Sequence, residues 1–401
     1  DMDSRVQAVE GYWKGGTLDP ATNVQFGEGG AGTFSDGKLT TRINDPLCSR
    51  VLERFVEFGA PVDILTSAKP HIGTDRLRGV VKNLRGRIIG LGGEVKFLSP
   101  LSGITRGTGR ITSVSVNGAD MPCGALALAV GHSAHDTFRM LLDSGIGLVP
   151  KPFSVGARIE HLQTDIDRAL YGKYAGHPAL PPAEYQLSYH EGGRGVYTFC
   201  MCPGGYVVAS ASAPGTVVTN GMSYYDRSGK NANSAVLVSV FPEDFGGGPL
   251  GGAEFIQRLE QKAYQLGKGG RAPAALTREF ISGGISFTLG RVDPTYSLGV
   301  EPAGLDELFP KFVTAPMRNG LRYFDRRISG FSDSDSVLTA IETRSSSPVR
   351  LPRNEAGHSE CADNLFPCGE GCGYAGGIMS AAVDGIRTAI RIMERFAPPG
   401  D

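Results

Sequence analysis

Near its C-terminal end the chain reads Asn364-Leu-Phe-Pro-Cys-Gly-Glu-Gly-Cys-Gly-Tyr-Ala-Gly-Gly-Ile378. A short apolar strand enters a glycine-dense turn, and the turn opens a helix. Ile378, Ala382, Ile386, Ala389 and Met393 recur at helical spacing, so the pattern predicts a helix over 376–396. A strand that returns as a helix through a tight turn is the unit of an α/β fold. The free N–H groups of Gly376, Gly377 and Ile378 would leave such a helix at its positive end, where an anion or a polarised carbonyl is held. The plain alternative is a tight structural connection. Gly371–Gly376 also matches G-x-G-x-x-G, but a dinucleotide fingerprint requires a further strand and an acid about 20 residues on. Here the helix runs to Phe396 and the sequence ends at Asp401.

Glycine is abundant, with 57 in 401 residues, about twice its usual share of about 7%. No G-X-Y period accompanies it, and apolar residues make up 40%, so a large core is available. Forty basic against 41 acidic side chains leave a net charge of −1, which argues against nucleic-acid binding. No apolar run approaches the roughly 18 residues of a membrane span. Seven cysteines, an odd number, suggest free thiols in a reducing compartment, cytoplasm or plastid. The sequence opens Asp1-Met2-Asp3 without a signal or transit segment, and is expected to begin partway through a longer product.

Residues 1–45 look loop-rich. Helical spacing follows at 51–58 and 77–89, then alternation at 94–98 and 104–116 suggests strands. Cys123–Val130 looks like a buried strand and His135–Leu142 a helix. After Pro150 the chain becomes mostly short strands. The expected organisation is mixed α/β (α+β): residues 1–150 as a first part, an inserted β-rich unit over 151–336, and a C-terminal part over 337–401 that rejoins the first.

A second glycine cluster, Gly27-Glu-Gly-Gly-Ala-Gly32, lacks a good strand before it and a good helix after it. The run Gln25–Arg42 is better described as a glycine loop carrying Ser35, Asp36, Lys38 and Arg42, able to wrap phosphate or ribose groups. Its alternative is a flexible surface loop. The predicted buried strand ends at Gly131 and a polar loop with His132 follows, where ligands lie in open α/β sheets. His132 and His135 have no third ligand at a recognised spacing, so no metal is expected. Cys200 and Cys202 are too close for a zinc hook. Cys368 and Cys372 flank a turn and are expected to be unpaired thiols. Nucleophile-elbow, zinc-protease and phosphate-loop signatures are missing.

The run Asn23–Thr40, with Lys69–Thr74, Ala129–Ala134, Lys151–His161, Phe199–Gly205, Val218–Met222, Asn231–Ala235, Glu342–Pro348 and Gly369–Ile378, resembles a family of FAD-dependent dehydrogenases of bacteria, plants and algae. The matches follow in order along nearly the whole chain. The resemblance implies FAD as cofactor, in a discontinuous three-layer FAD-binding domain with an inserted mixed β-sheet substrate domain. It implies cofactor contacts from Gln25, Gly27, Glu28, Gly29, Gly30, Gly32, Ser35, Asp36 and Lys38, from Gly131, and from Gly369, Glu370, Gly371, Gly376, Gly377 and Ile378. Lys38, Arg42 and Arg344 become candidates for contacts at the flavin or substrate. The substrate would be a small molecule, oxidised or reduced by hydride transfer. Two departures stand out. The family's N-terminal strand, Gly-x-Gly-x-x-Gly turn and helix have no counterpart here, and cysteines occupy 368 and 372 where small residues are usual. A nicotinamide dehydrogenase would need a complete fingerprint. A chain that no longer binds FAD and serves as an interaction module is the alternative.

Overall fold

Alternation decides the middle of the chain. In the computed structural model, which describes residues 1–396, the strand Phe153–Leu162 turns Phe153, Val155, Ala157 and Ile159 into the largest apolar core. Its other face carries Ser154, Gly156, Arg158 and Glu160, yet nearly all of the strand is buried. It lies inside a seven-stranded sheet with the order Val300–Pro302, Ala272–Leu276, Val337–Glu342, Phe153–Leu162, Asn231–Val240, Arg194–Cys202, Ser188–Glu191. Only the first pair is parallel.

Two helices cover the apolar face. Phe255, Ile256, Leu259 and Ala263 of Gly251–Leu266, and Val313, Met317, Leu321 and Phe324 of Lys311–Arg327, repeat every three to four residues and meet that core. Each of these side chains larger than alanine contributes roughly 1.5–3 kcal/mol on burial. The polar face is covered differently. The antiparallel pair Tyr206–Ala209 and Thr219–Met222 lies over it, with Asn220 and Gly221 against Arg158.

Elsewhere, Leu126–Leu128 and Leu365–Pro367 pair in parallel although far apart in sequence. Asn364 pins this pair to the three-stranded meander Leu101–Gly107, Arg110–Val116, Ala119–Pro122. Its Oδ1 accepts from the Ile111 amide at 2.7 Å, and its Nδ2 donates to the carbonyls of Ile111 and Gly124 at 2.9 Å. The helix Ile378–Arg395 buries Met379 and Val383 against Val51, Leu77 and Val80, which come from the helices Leu47–Glu57 and Thr74–Gly90.

Several sequence expectations change. The strand Val337–Glu342 sits between Ala272–Leu276 and Phe153–Leu162, so a boundary at 336 would cut through the sheet. The β-rich unit therefore extends at least to Glu342. The last five residues of the expected C-terminal part, 397–401, lie outside the described residues. Residues 94–98 form no strand; Leu98 takes φ +51° and is 83% exposed, so the chain turns there instead of extending. The opening residues are not loop but a helix, Met2–Trp13, started by the Asp1 side chain accepting from the Ser4 amide.

Candidate functional site

The glycine loop after Asn23 is ordered by the protein itself. Arg5, wholly buried in the first helix, donates to the main-chain carbonyls of Asn23 at 2.9 Å and Val24 at 2.8 Å, and also to that of Glu28. Gly27 has φ +122°, and a Cβ there would stand 2.5 Å from Arg5 Cδ. Gly29 is packed as closely on Thr33, and a Cβ at Gly32 would stand 3.0 Å from Ile378. The Glu28 carboxylate accepts from the Met2 amide at 2.6 Å and lies 3.3 Å from Arg85. Ser35 Oγ donates to the Gly32 carbonyl at 2.7 Å. These side chains are engaged by the protein's own groups. Arg5 escaped the sequence reading because an arginine at a core position looks like surface.

Asp36 and Lys38 have partners in the β-rich unit. Arg227 grips Asp36 with Nη2 at 2.6 Å and Nε at 3.2 Å, and donates to Glu184 at 2.7 Å. Lys38 Nζ completes the row at 3.1 Å from Glu184. Two acids and two bases thus alternate across the contact between the loop and the sheet unit. Asp36 is therefore bound to arginine and not free for a ribose. Lys38 stays 23% exposed, with two N–H donors left over. Burial pushes Glu184 up, but Lys38 and Arg227 outweigh it and hold its carboxyl below the ordinary range. A depressed acid stabilises the fold above its unfolded pKa of about 4.3 and loses that contribution as pH falls through the folded value. The melting temperature is expected to drop on acidification through this window, and to drop less in Lys38→Met. Equal drops in thermal melts of the two proteins would show that the row contributes nothing.

Arg42 is exposed and has no ion-pair partner among the described residues. Arg344 is the reverse. Its Nε and Nη2 grip the buried Glu260 at 2.8 Å each, and its Nη1 faces His135 Nε2 at 3.4 Å. Its charge is held by Glu260 of the helix Gly251–Leu266.

At the C-terminal turn, Gly371 presses on Gly131: a Cβ at 371 would lie 2.4 Å from the Gly131 carbonyl oxygen. No larger residue fits, so the loops after Leu126–Leu128 and Leu365–Pro367 meet main chain to main chain. Cys372 Sγ donates to the Leu128 carbonyl at 3.2 Å, and burial pushes its thiol up to about 12. Cys368 is buried and raised for the same reason. Both are inert thiols that fill the turn. Gly376 does not offer its N–H outward, because that N–H donates to Ser380 Oγ at 3.1 Å. The first-turn amides from Ile378 onward are unclaimed by the helix itself.

Gly30, Gly131, Gly369, Gly376 and Gly377 each have open space where a Cβ would stand. Glu370 and His132 lie beside them, with Oε1 and Nε2 3.8 Å apart. His132 bonds Ser133, and Ser133 bonds Gln25. Gly131, Gly376 and Gly377 are exposed and Gly30 is half-buried, so main-chain surface from three segments is bare; Gly369 is buried, its N–H donating to Asp384 Oδ2 at 2.8 Å. A flat or phosphorylated ligand needs such surface to reach backbone amides.

Residues 152–345 match the family model described as FAD-dependent protein, C-terminal domain-like. An uncharacterized protein of Clostridium beijerinckii is 50% identical over 403 residues, covering all of this chain and 76% of that protein. The chain belongs to this family of FAD-dependent proteins. The family's cofactor is FAD, and the bare glycine surface fits a group of that kind. Among solved structures, CtdE in complex with FAD is 9% identical with a TM-score of 0.31, over 79% of this chain and 59% of that one. An oxidoreductase from Methanosarcina mazei is 11% identical with a TM-score of 0.31, over 89% and 64%. The chain thus spans less than two thirds of either solved protein. No helix among the described residues is long and apolar enough to cross a membrane.

Proposed function

We propose that the protein is an FAD-dependent oxidoreductase acting on a small molecule, with the flavin laid along the bare main chain of Gly30, Gly131, Gly376 and Gly377. The observation that carries this reading is that open glycines lie on three segments held together by the packing of Gly32 on Ile378 and of Gly371 on Gly131, in a member of an FAD-dependent family. When bound, the flavin supplies two-electron transfer. The protein's own part is orientation and electrostatics. The helix beginning at Ile378 presents its positive end to whatever lies against Gly377, and so favours negative charge there. Lys38 adds a partly exposed cation next to the glycine loop.

Gly377→Val tests the placement. Its φ of 164° is ordinary extended backbone, and nothing lies within 4 Å of a Cβ at this position. Folding should therefore be unaffected. A bound ring should clash, and overpacking of about 1–3 kcal/mol corresponds to roughly a 5- to 150-fold weaker FAD affinity. FAD titration with thermal melting of the flavin-free proteins gives both quantities. Unchanged affinity would place the flavin elsewhere.

A further inference from the structure

The register of one small ribbon puts two unmatched cations on one face. Val349 pairs with Pro150 and Arg350 with Val149 in antiparallel, and the Lys151 amide donates to the Pro348 carbonyl at 2.9 Å. Residues opposite one another share a face, and so do alternate residues of a strand. Val149, Lys151, Pro348 and Arg350 therefore lie on one side, with Lys151 diagonal to Arg350. Val349 lies on the other side, wholly buried in the core. Pro152 holds the Lys151 main chain extended. Arg350 is aimed by the glycine turn. Its Nη2 donates to the Gly373 carbonyl at 3.2 Å, and its guanidinium stands 5.3 Å from the Tyr374 ring centre. The Leu351 amide donates to the Cys372 carbonyl at 3.2 Å, so the ribbon is stitched to the residues that follow Glu370 and Gly371.

We propose that Lys151 and Arg350 are the two arms of a clamp for an oxyanion, a carboxylate or a phosphate, at the rim of the glycine turn.

The donors on this face outnumber their acceptors. Arg350 uses one of its five N–H groups and Lys151 none of its three, and neither has an ion-pair partner among the described residues. Diagonal neighbours on a ribbon stand about 7–8 Å apart, a gap that two long side chains close onto one anion. Lys151 is half-buried, and an unpaired ammonium is costly to desolvate. Burial, followed by Arg350, accordingly holds Lys151 below its ordinary range, although Glu370 pulls the other way. Glu370 stands outside ion-pair reach of both arms, and one acid against two bases leaves a net positive charge. A carboxylate or phosphate offers an oxygen to each arm, in charge-assisted hydrogen bonds, and removes the repulsion between them. The Arg350 arm is already set for this by Gly373 and Tyr374.

Which molecule carries the anionic group rests on the flavin reading; the clamp itself does not. Inorganic phosphate is the probe. Thermal melts in phosphate and in chloride of equal ionic strength should show a rise in melting temperature specific to phosphate. Lys151→Met and Arg350→Met should each weaken phosphate binding about 10-fold or more, since each removes charge-assisted hydrogen bonds. Lys151→Arg, which keeps charge and donors, should retain most of the binding, and the melts in chloride show that each variant folds. A rise that persists in both methionine variants, or no rise in the unaltered protein, would overturn the clamp. FAD titration of the same proteins names the source of the anion. Phosphate that competes with FAD, with FAD affinity falling in both variants, assigns the clamp to the cofactor's phosphates. Phosphate that still binds the FAD-loaded protein assigns it to an anionic substrate. Protein that binds phosphate through these arms but takes up no FAD would defeat the flavin reading and leave the clamp in place.

Discussion

Arg158→Met is expected to destabilise the protein by about 3–5 kcal/mol, because it strands a buried carboxylate. Arg158 is wholly buried, and all five of its N–H groups are used. Nε and Nη2 grip Glu342 at 2.8 and 3.0 Å, Nη1 donates to Asn233 and to the Cys200 carbonyl, and Nη2 donates to Asn220. Burial works against the guanidinium charge, but Glu342 outweighs it and holds the group more firmly protonated than usual. Without it, Glu342 remains 3% exposed with no cation. The double variant Arg158→Met, Glu342→Leu should recover most of the loss, since an apolar pair of similar volume replaces a desolvated ion pair at little net cost. Urea unfolding of the three proteins measures this. A double variant as unstable as the single one would mean that the neutral partners Asn233 and Asn220, not the ion pair, dominate.

The second large effect belongs to Arg5→Met. Methionine fills much of the volume but leaves the carbonyls of Asn23, Val24 and Glu28 without their donor. A buried carbonyl without a partner costs about 1–3 kcal/mol, so a loss of about 3 kcal/mol or more is expected. The damage should be local. The glycine loop would open to protease within residues 23–37, and FAD retention would fall with it. Arg5 also stacks over Phe34, 4.9 Å from the ring centre, which ties the same loop from below. Limited proteolysis followed by mass mapping reads the loop directly. An unchanged cleavage pattern would show that the loop holds its shape without Arg5.

The helix Ile378–Arg395 and the turn before it were legible because both the period of their apolar residues and their glycines are local signals. The same holds for the meander, whose turn glycines Gly107 and Gly109 stand between alternating runs. What escaped was carried by pairs far apart in the chain. Nothing near Asp36 announces Arg227, and nothing near Arg344 announces Glu260, since only the folded sheet brings them together. The first helix was hidden for a related reason: of its three buried residues, Met2, Arg5 and Val9, the middle one carries a charge.

The alternating row Asp36, Arg227, Glu184, Lys38 has a consequence for building chimaeras. One acid and one base come from the glycine loop, and one of each from the sheet unit; Glu184 and Arg227 pair within the sheet unit, but Asp36 and Lys38 each take their partner from across the seam. A graft that brings in a relative's sheet unit must carry both Glu184 and Arg227. One that brings only Arg227 leaves Lys38 unmatched at the seam, and one that brings only Glu184 leaves Asp36 buried without a cation. Exchange of sheet units within the family is therefore permitted only where the seam is inherited as a set of four.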